Sequence, residues 1–191
     1  MKNILLILFS ISFLITEAST IDSLTNVIKK EKNESLKFET YSKLINQYLN
    51  IDPAKAEEIS LNQISLSKTK TEKANSFLNL ALSQDYQYKF DSAINNYHKA
   101  YNFFELNNDT VGLSRVLLNL GIVNYYKGDI DSSIFFYVKT LHFAEKIGQK
   151  RLVSSAYSNL GSIHRELGEY KTSLKYHNKS LQIEEEYNSC E

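Results

Sequence analysis

Apolar and polar positions along this chain repeat with a period of 40 residues, and inside each period they follow helical spacing. Asn79-Leu80-Ala81, Asn119-Leu120-Gly121 and Asn159-Leu160-Gly161 mark the register. Ala93, Ser133 and Ser173 follow twelve residues after the small residue, and Ile94, Ile134 and Leu174 come next. Tyr97, Tyr137 and His177 then share a column, followed by Lys99, Lys139 and Lys179. Phe103, Phe143 and Ile183 form a further column, as do Glu105, Glu145 and Glu185. A fixed period of this length means stacked supersecondary units rather than one globular core. Val116, Leu117, Leu118, Leu120, Gly121 and Val123 give the broad apolar face of a helix buried on two sides. Ile134, Tyr137, Leu141 and Ala144 recur three or four apart on a second helix. Gly128-Asp129 and Gly168-Glu169 separate such pairs, since glycine accepts a left-handed helix end and the acid suits the positive pole of the next helix. The pattern predicts an all-α solenoid in which Val111–Lys127 and Ile130–Ile147 form one pair.

The residues Leu120-Gly121-Ile122-Val123-Asn124-Tyr125-Tyr126-Lys127-Gly128-Asp129-Ile130, with Ser133, Tyr137 and Thr140 after them, resemble the tetratricopeptide repeat. Leu160, Gly161, Gly168, Tyr170, Ser173 and Ser180 carry the same likeness in the last unit. The period exceeds the family's usual one and is similar to the longer-helix variant of motor-protein light chains and bacterial signalling proteins. The resemblance is strong from Ala74 to Glu186, and it implies helix-turn-helix units wound into a right-handed superhelix. Tyr97, Tyr137 and Tyr170 are then expected in the repeat core.

Upstream, Leu44 and Ala56 stand twelve apart, like the Gly-to-Ala pairs of later units. Asp52-Pro53 supplies a cap followed by proline at the first helical position. Tyr41–Leu49 and Ala54–Ser67 therefore read as a degenerate first repeat, about 33–68, with Ile21–Lys30 as a preceding helix. The further repeats fall at about 72–107, 110–147 and 150–187, all within one domain, 19–191. Met1-Lys2-Asn3, the apolar run Ile4–Ile15 and Thr16-Glu17-Ala18 read as a secretory signal peptide over 1–18, cleaved before Ser19. An uncleaved anchor or a buried first helix is the alternative reading of that stretch. The apolar run is shorter than the ~20 residues that a spanning helix needs, so no membrane span is expected beyond it. Export to the periplasm or medium is the expectation.

Net charge is zero, with 22 basic and 22 acidic residues, so the chain lacks the electrostatic footprint of a nucleic-acid binder. Cys190 is the single cysteine, which excludes an intrachain disulfide. His98, His142, His164 and His177 make no pair at metal-ligand spacing, and no nucleophile or phosphate-binding motif occurs. Neither enzyme activity, cofactor nor metal is expected.

The resemblance implies that binding residues lie on the first helix of each unit. Asn79, Asn119 and Asn159 fall at the position that lines the family's inner groove. An amide carries both a donor and an acceptor, so such a ladder can satisfy an extended peptide backbone without reading its sequence. The alternative is that these amides bridge or cap neighbouring helices. By the same register Leu82 and Tyr86, Arg115, Ile122, Tyr125 and Tyr126, and Arg165 would select the partner. Asn75, Leu78, Asp85, Leu118, Ser155, Ser158, Ser162 and Glu166 fall beside them. The lysines with which one variant of the family clamps a C-terminal carboxylate are replaced by Leu78, Leu118 and Ser158. A protein or peptide partner with apolar or aromatic anchors is expected. Leu174, His177 and Leu181 on one face of the last helix, roughly Tyr170–Glu186, suggest self-association. The function expected is a binding scaffold, the alternative being the extracytoplasmic input domain of a signalling protein.

Overall fold

A computed structural model describes residues 19–188 of the chain. The expected signal peptide and Cys190 lie outside the described residues. Nine helices follow one another among them: α1 over 19–30, α2 Glu34–Tyr48, α3 Pro53–Leu66, α4 Lys70–Asp85, α5 Phe90–Leu106, α6 Thr110–Lys127, α7 Ile130–Lys146, α8 Lys150–Glu166 and α9 Tyr170–Asn188. Each helix from α2 onward packs against the next, which makes a solenoid of helix pairs. None of the described helices is long and apolar enough to cross a membrane.

The caps show why the helices start where they do. Asp52 accepts from the Lys55 backbone N–H with Pro53 at the first helical position, as the Asp-Pro pair predicts. Thr69 and Glu72 form a reciprocal capping box ahead of α4. α2 begins at Glu34, well ahead of the expected Tyr41, because the Asn33 side chain accepts from Leu36 and starts the helix early.

Inside each later pair the column residues meet. An added Cβ at Gly121 would lie 2.5 Å from the Tyr137 ring, and one at Gly161 would lie 2.8 Å from the His177 ring. Tyr137 is fully buried over Gly121, and the Ser133 hydroxyl donates to the Gly121 carbonyl at 2.8 Å. The small residue and the ring are thus one steric unit, which is why they recur together. Tyr97 is buried in the same way, whereas Tyr170, expected in the core, is 71% exposed at the start of α9. Its column neighbours Phe90 and Ile130 pack against apolar clusters, but among the described residues no helix lies beyond α9 to cover Tyr170. Leu174 and Leu181 are also exposed on the outer side of α9, while His177 turns inward onto Gly161.

The apolar core is divided. One cluster gathers Ile28, Leu44, Ile45, Leu49, Ala56 and Ile59 from α1 to α3. Another runs from Ala74 on α4 through Tyr97 and Phe104 on α5 to Val123 on α6. Between them the α3/α4 seam is largely polar. Ser60 meets Ser83 at 3.3 Å, Ser67 meets Ser76 at 2.7 Å, and Gln63 accepts from Asn79 at 2.9 Å. Glu57 accepts from Gln84, Gln87 and Lys89, which holds its carboxyl below the usual range despite partial burial.

Candidate functional site

The first helices of the pairs approach one another, α2 against α4 and α6 against α8, while the second helices α3, α5, α7 and α9 stand apart. Helices that come closest lie on the inside of a curve, so α2, α4, α6 and α8 line the inner groove. One pair of neighbours departs from this spacing. α4 and α6 come less close to each other than their neighbours do, and a cavity of about 420 Å³ opens between them, within the usual size range of ligand sites.

This cleft collects half of the residues expected from sequence. Leu82 and Tyr86 come from the end of α4, and Asn119, Ile122 and Tyr126 from α6. Tyr126 is 63% exposed, and its ring meets Tyr125 edge-on at 5.4 Å. Asn119 is half-buried, and its amide has no hydrogen-bond partner among the described residues. Asp85, Tyr88 and Phe90 complete the lining. Burial pushes the Asp85 carboxyl up to about 6, against the opposing effect of a hydrogen bond from Tyr97 at 3.3 Å.

The remaining expected residues lie elsewhere. Asn79 is only 7% exposed, and its amide donates to Ser42 on α2 and Gln63 on α3. It bridges three helices, so the geometry gives it the helix-bridging role rather than a free rung. Asn159 is half-buried on α8 and, like Asn119, has no hydrogen-bond partner among the described residues. Tyr125 spans to α8, where its hydroxyl donates to Glu166, and this bond raises its own pKa. Arg115 and Arg165 are exposed on α6 and α8. Leu78, placed in the groove by register, is instead fully buried in the core.

Tyr88 and Phe90 were not legible as site residues, yet Tyr88 carries a signal in the sequence. It stands in the column of Gly128 and Gly168, and its φ is 58°, against 87° and 77° for the glycines. A bulky residue in left-handed backbone is uncommon, and it is a reason to look for function. Among the described residues no group of His, Cys, Asp and Glu is placed to hold a metal ion.

No protein-family model matches the chain. No curated protein matches it either. Solved structures do. MamA is similar at 26% identity with a TM-score of 0.61, over 88% of this chain and 89% of that one. A Podosopora anserina putative kinesin light chain with nearly identical TPR-like repeats matches at 10% identity and a TM-score of 0.68, over 91% of this chain and 89% of its own. A signal-transduction ATPase with a tetratricopeptide repeat sensor, from Pyrococcus horikoshii, matches at 20% identity and a TM-score of 0.68, over 91% of this chain and 28% of its own. The fold is that of a tetratricopeptide-repeat solenoid, as the sequence resemblance implied.

Proposed function

We propose that this tetratricopeptide-type solenoid is a non-enzymatic scaffold that acts outside the cytoplasm and grips an extended segment of a partner protein in its groove. The observation that carries the reading is the α4/α6 cleft, where exposed aromatic surface and an unpartnered amide converge. Soluble proteins seldom leave such rings grouped in a concavity unless something covers them. Leu82, Ile122 and Tyr126 would contact the apolar or aromatic parts of the segment's side chains, and Asn119 and Asn159 would pair with its backbone. Arg115 and Arg165, exposed on the same helices, would contact its flanks.

Selection from a random peptide library displayed on phage tests this. Wild type should enrich peptides with apolar or aromatic residues, and Asn119→Ala/Asn159→Ala/Tyr126→Ala should lose them while its helical circular dichroism stays unchanged. Equal enrichment by both proteins, or none by wild type, would overturn the reading. Export is checked by sequencing the mature N-terminus, which should begin at Ser19.

A second reading, the input domain of an extracytoplasmic signalling protein, is favoured by the outer side of α9. Leu174 is 62% exposed there, beside Leu181, a surface on which a further element or a second copy could stack. Sedimentation of the full chain against Leu174→Lys/Leu181→Lys should separate the two if self-association occurs.

A further inference from the structure

The α4/α6 cleft holds a carboxylate with no cation. Asp85 forms no ion pair among the described residues. The lysines that flank the cleft in sequence are held elsewhere, Lys89 on Glu57 at 2.8 Å and Lys127 on Asp91 at 2.5 Å. Around Asp85 stand Tyr86, Tyr88, Phe90 and Tyr126, all lining the one cavity. Tyr88 and Phe90 meet edge-on at 6.0 Å.

Two further facts set this grouping apart from ordinary surface aromatics. Tyr88 is 77% exposed, so its ring does little for the core, yet it occupies left-handed backbone in a column where the other two repeats have glycine. The parting of α4 from α6 also occurs at this place, which leaves the carboxylate accessible from the groove. Aromatic faces are negative at their centres and attract cations, and a partly desolvated carboxylate without a counter-ion does so more strongly. An acidic or purely apolar group would leave Asp85 buried against it unpaired, which is unfavourable.

We infer that the cleft between α4 and α6 is a cage for a basic side chain, an arginine or lysine of the partner segment, with Asp85 as the counter-ion and Tyr86, Tyr88, Phe90 and Tyr126 as the walls. This deepens the reading of the groove as a peptide site and rests on it. Leu82 and Ile122 would contact the aliphatic stem of the same side chain, since such stems pack on apolar surface while the charged head reaches its partner.

The test uses small probes whose charge is the only variable. Nα-acetyl-arginine amide and its uncharged isostere Nα-acetyl-citrulline amide are titrated into the full chain, with Nα-acetyl-lysine amide and its Nε-acetyl derivative as a second pair. Nuclear magnetic resonance reads the ring signals of Tyr88 and Tyr126. The charged member of at least one pair should bind about tenfold more tightly than its neutral counterpart. Asp85→Asn should abolish the preference while leaving the fold at least as stable, and Tyr88→Gly should reduce binding of the charged probe severalfold. Equal binding of both members of each pair, or a preference that survives Asp85→Asn, would overturn the cage. A phage selection that fails while the probes still discriminate would remove the groove reading and leave the cation site standing. Peptides that enrich on the groove with no charge preference at the probes would do the reverse.

Discussion

The Tyr97 hydroxyl donates to Asp85 across 3.3 Å, joining a buried ring of the repeat core to the floor of the groove. The two residues affect each other in a predictable direction. Burial of the Tyr97 ring, and after it the nearby Asp85 charge, raises the Tyr97 pKa well above its ordinary value, and burial raises that of Asp85 to about 6.

The pH dependence of stability follows from Asp85. In the unfolded chain the carboxyl titrates near 3.8 and in the folded chain near 6, so between these values the folded state keeps a proton that the unfolded state has lost. Stability should therefore fall as pH rises from about 4 to 6 and level off above that. The other titratable side chains around this site are Tyr86, Tyr88, Tyr97, Tyr126 and Tyr137, and burial raises the pKa of Tyr97 and Tyr137. A two-unit shift is worth about 3 kcal/mol in a dry site; solvent screening at this partly open one reduces it to about 1 kcal/mol. Unfolding free energies from urea titrations of wild type and Asp85→Asn should differ by that amount at pH 7.5 and converge near pH 4. A difference that is constant with pH would contradict the assignment.

Tyr88→Gly should stabilise the chain. It replaces a residue held at φ 58° by the residue that the equivalent turns use, and little buried surface is lost. Left-handed backbone costs a bulky residue about 1 kcal/mol, so thermal unfolding should move up by a few degrees. The reciprocal Gly128→Tyr should move it down. A loss of stability in Tyr88→Gly would mean that the ring is a core element after all.

Asn79→Ala and Asn119→Ala should separate structural from binding amides. The first leaves the buried Gln63 oxygen without its donor, a loss of about 1–3 kcal/mol. The second removes a half-exposed side chain without a partner and should change stability by less than about 0.5 kcal/mol, while weakening peptide capture. Chemical denaturation of the two single variants is the check, and equal losses would remove the distinction.

Gly121→Ala should destabilise more than Gly161→Ala. The new methyl would meet the Tyr137 ring, which α6 to α8 enclose, and overpacking at such a place costs about 1–3 kcal/mol. His177 lies on α9, packed from one side among the described helices, and can yield. Denaturation midpoints should rank the two in that order.

The helices and their pairing were legible because the repeated columns record steric contacts. Gly121 and Tyr137, or Gly161 and His177, can only recur together if one packs on the other. The groove was legible in part, since register says which way a position faces. It does not say what the next helix offers there. Asn79 shares its column with Asn119, but Ser42 and Gln63 lie opposite it and take up its amide. Tyr170 shares its column with Ile130, yet no described helix covers it. Tyr88 was not legible because it breaks the column that Gly128 and Gly168 keep, and a repeat pattern marks only the positions that agree.

The polar α3/α4 seam bears on how the molecule breathes. Serine and amide contacts join two apolar clusters that share few residues, so opening there exposes little hydrophobic surface. Repeat arrays unravel where neighbouring units are joined least strongly. Amide hydrogens of α1 to α3 should therefore exchange with solvent as one block, ahead of those in α4 to α7. The cleft sits on the slow side of that boundary, so fraying of the leading helices would leave it formed.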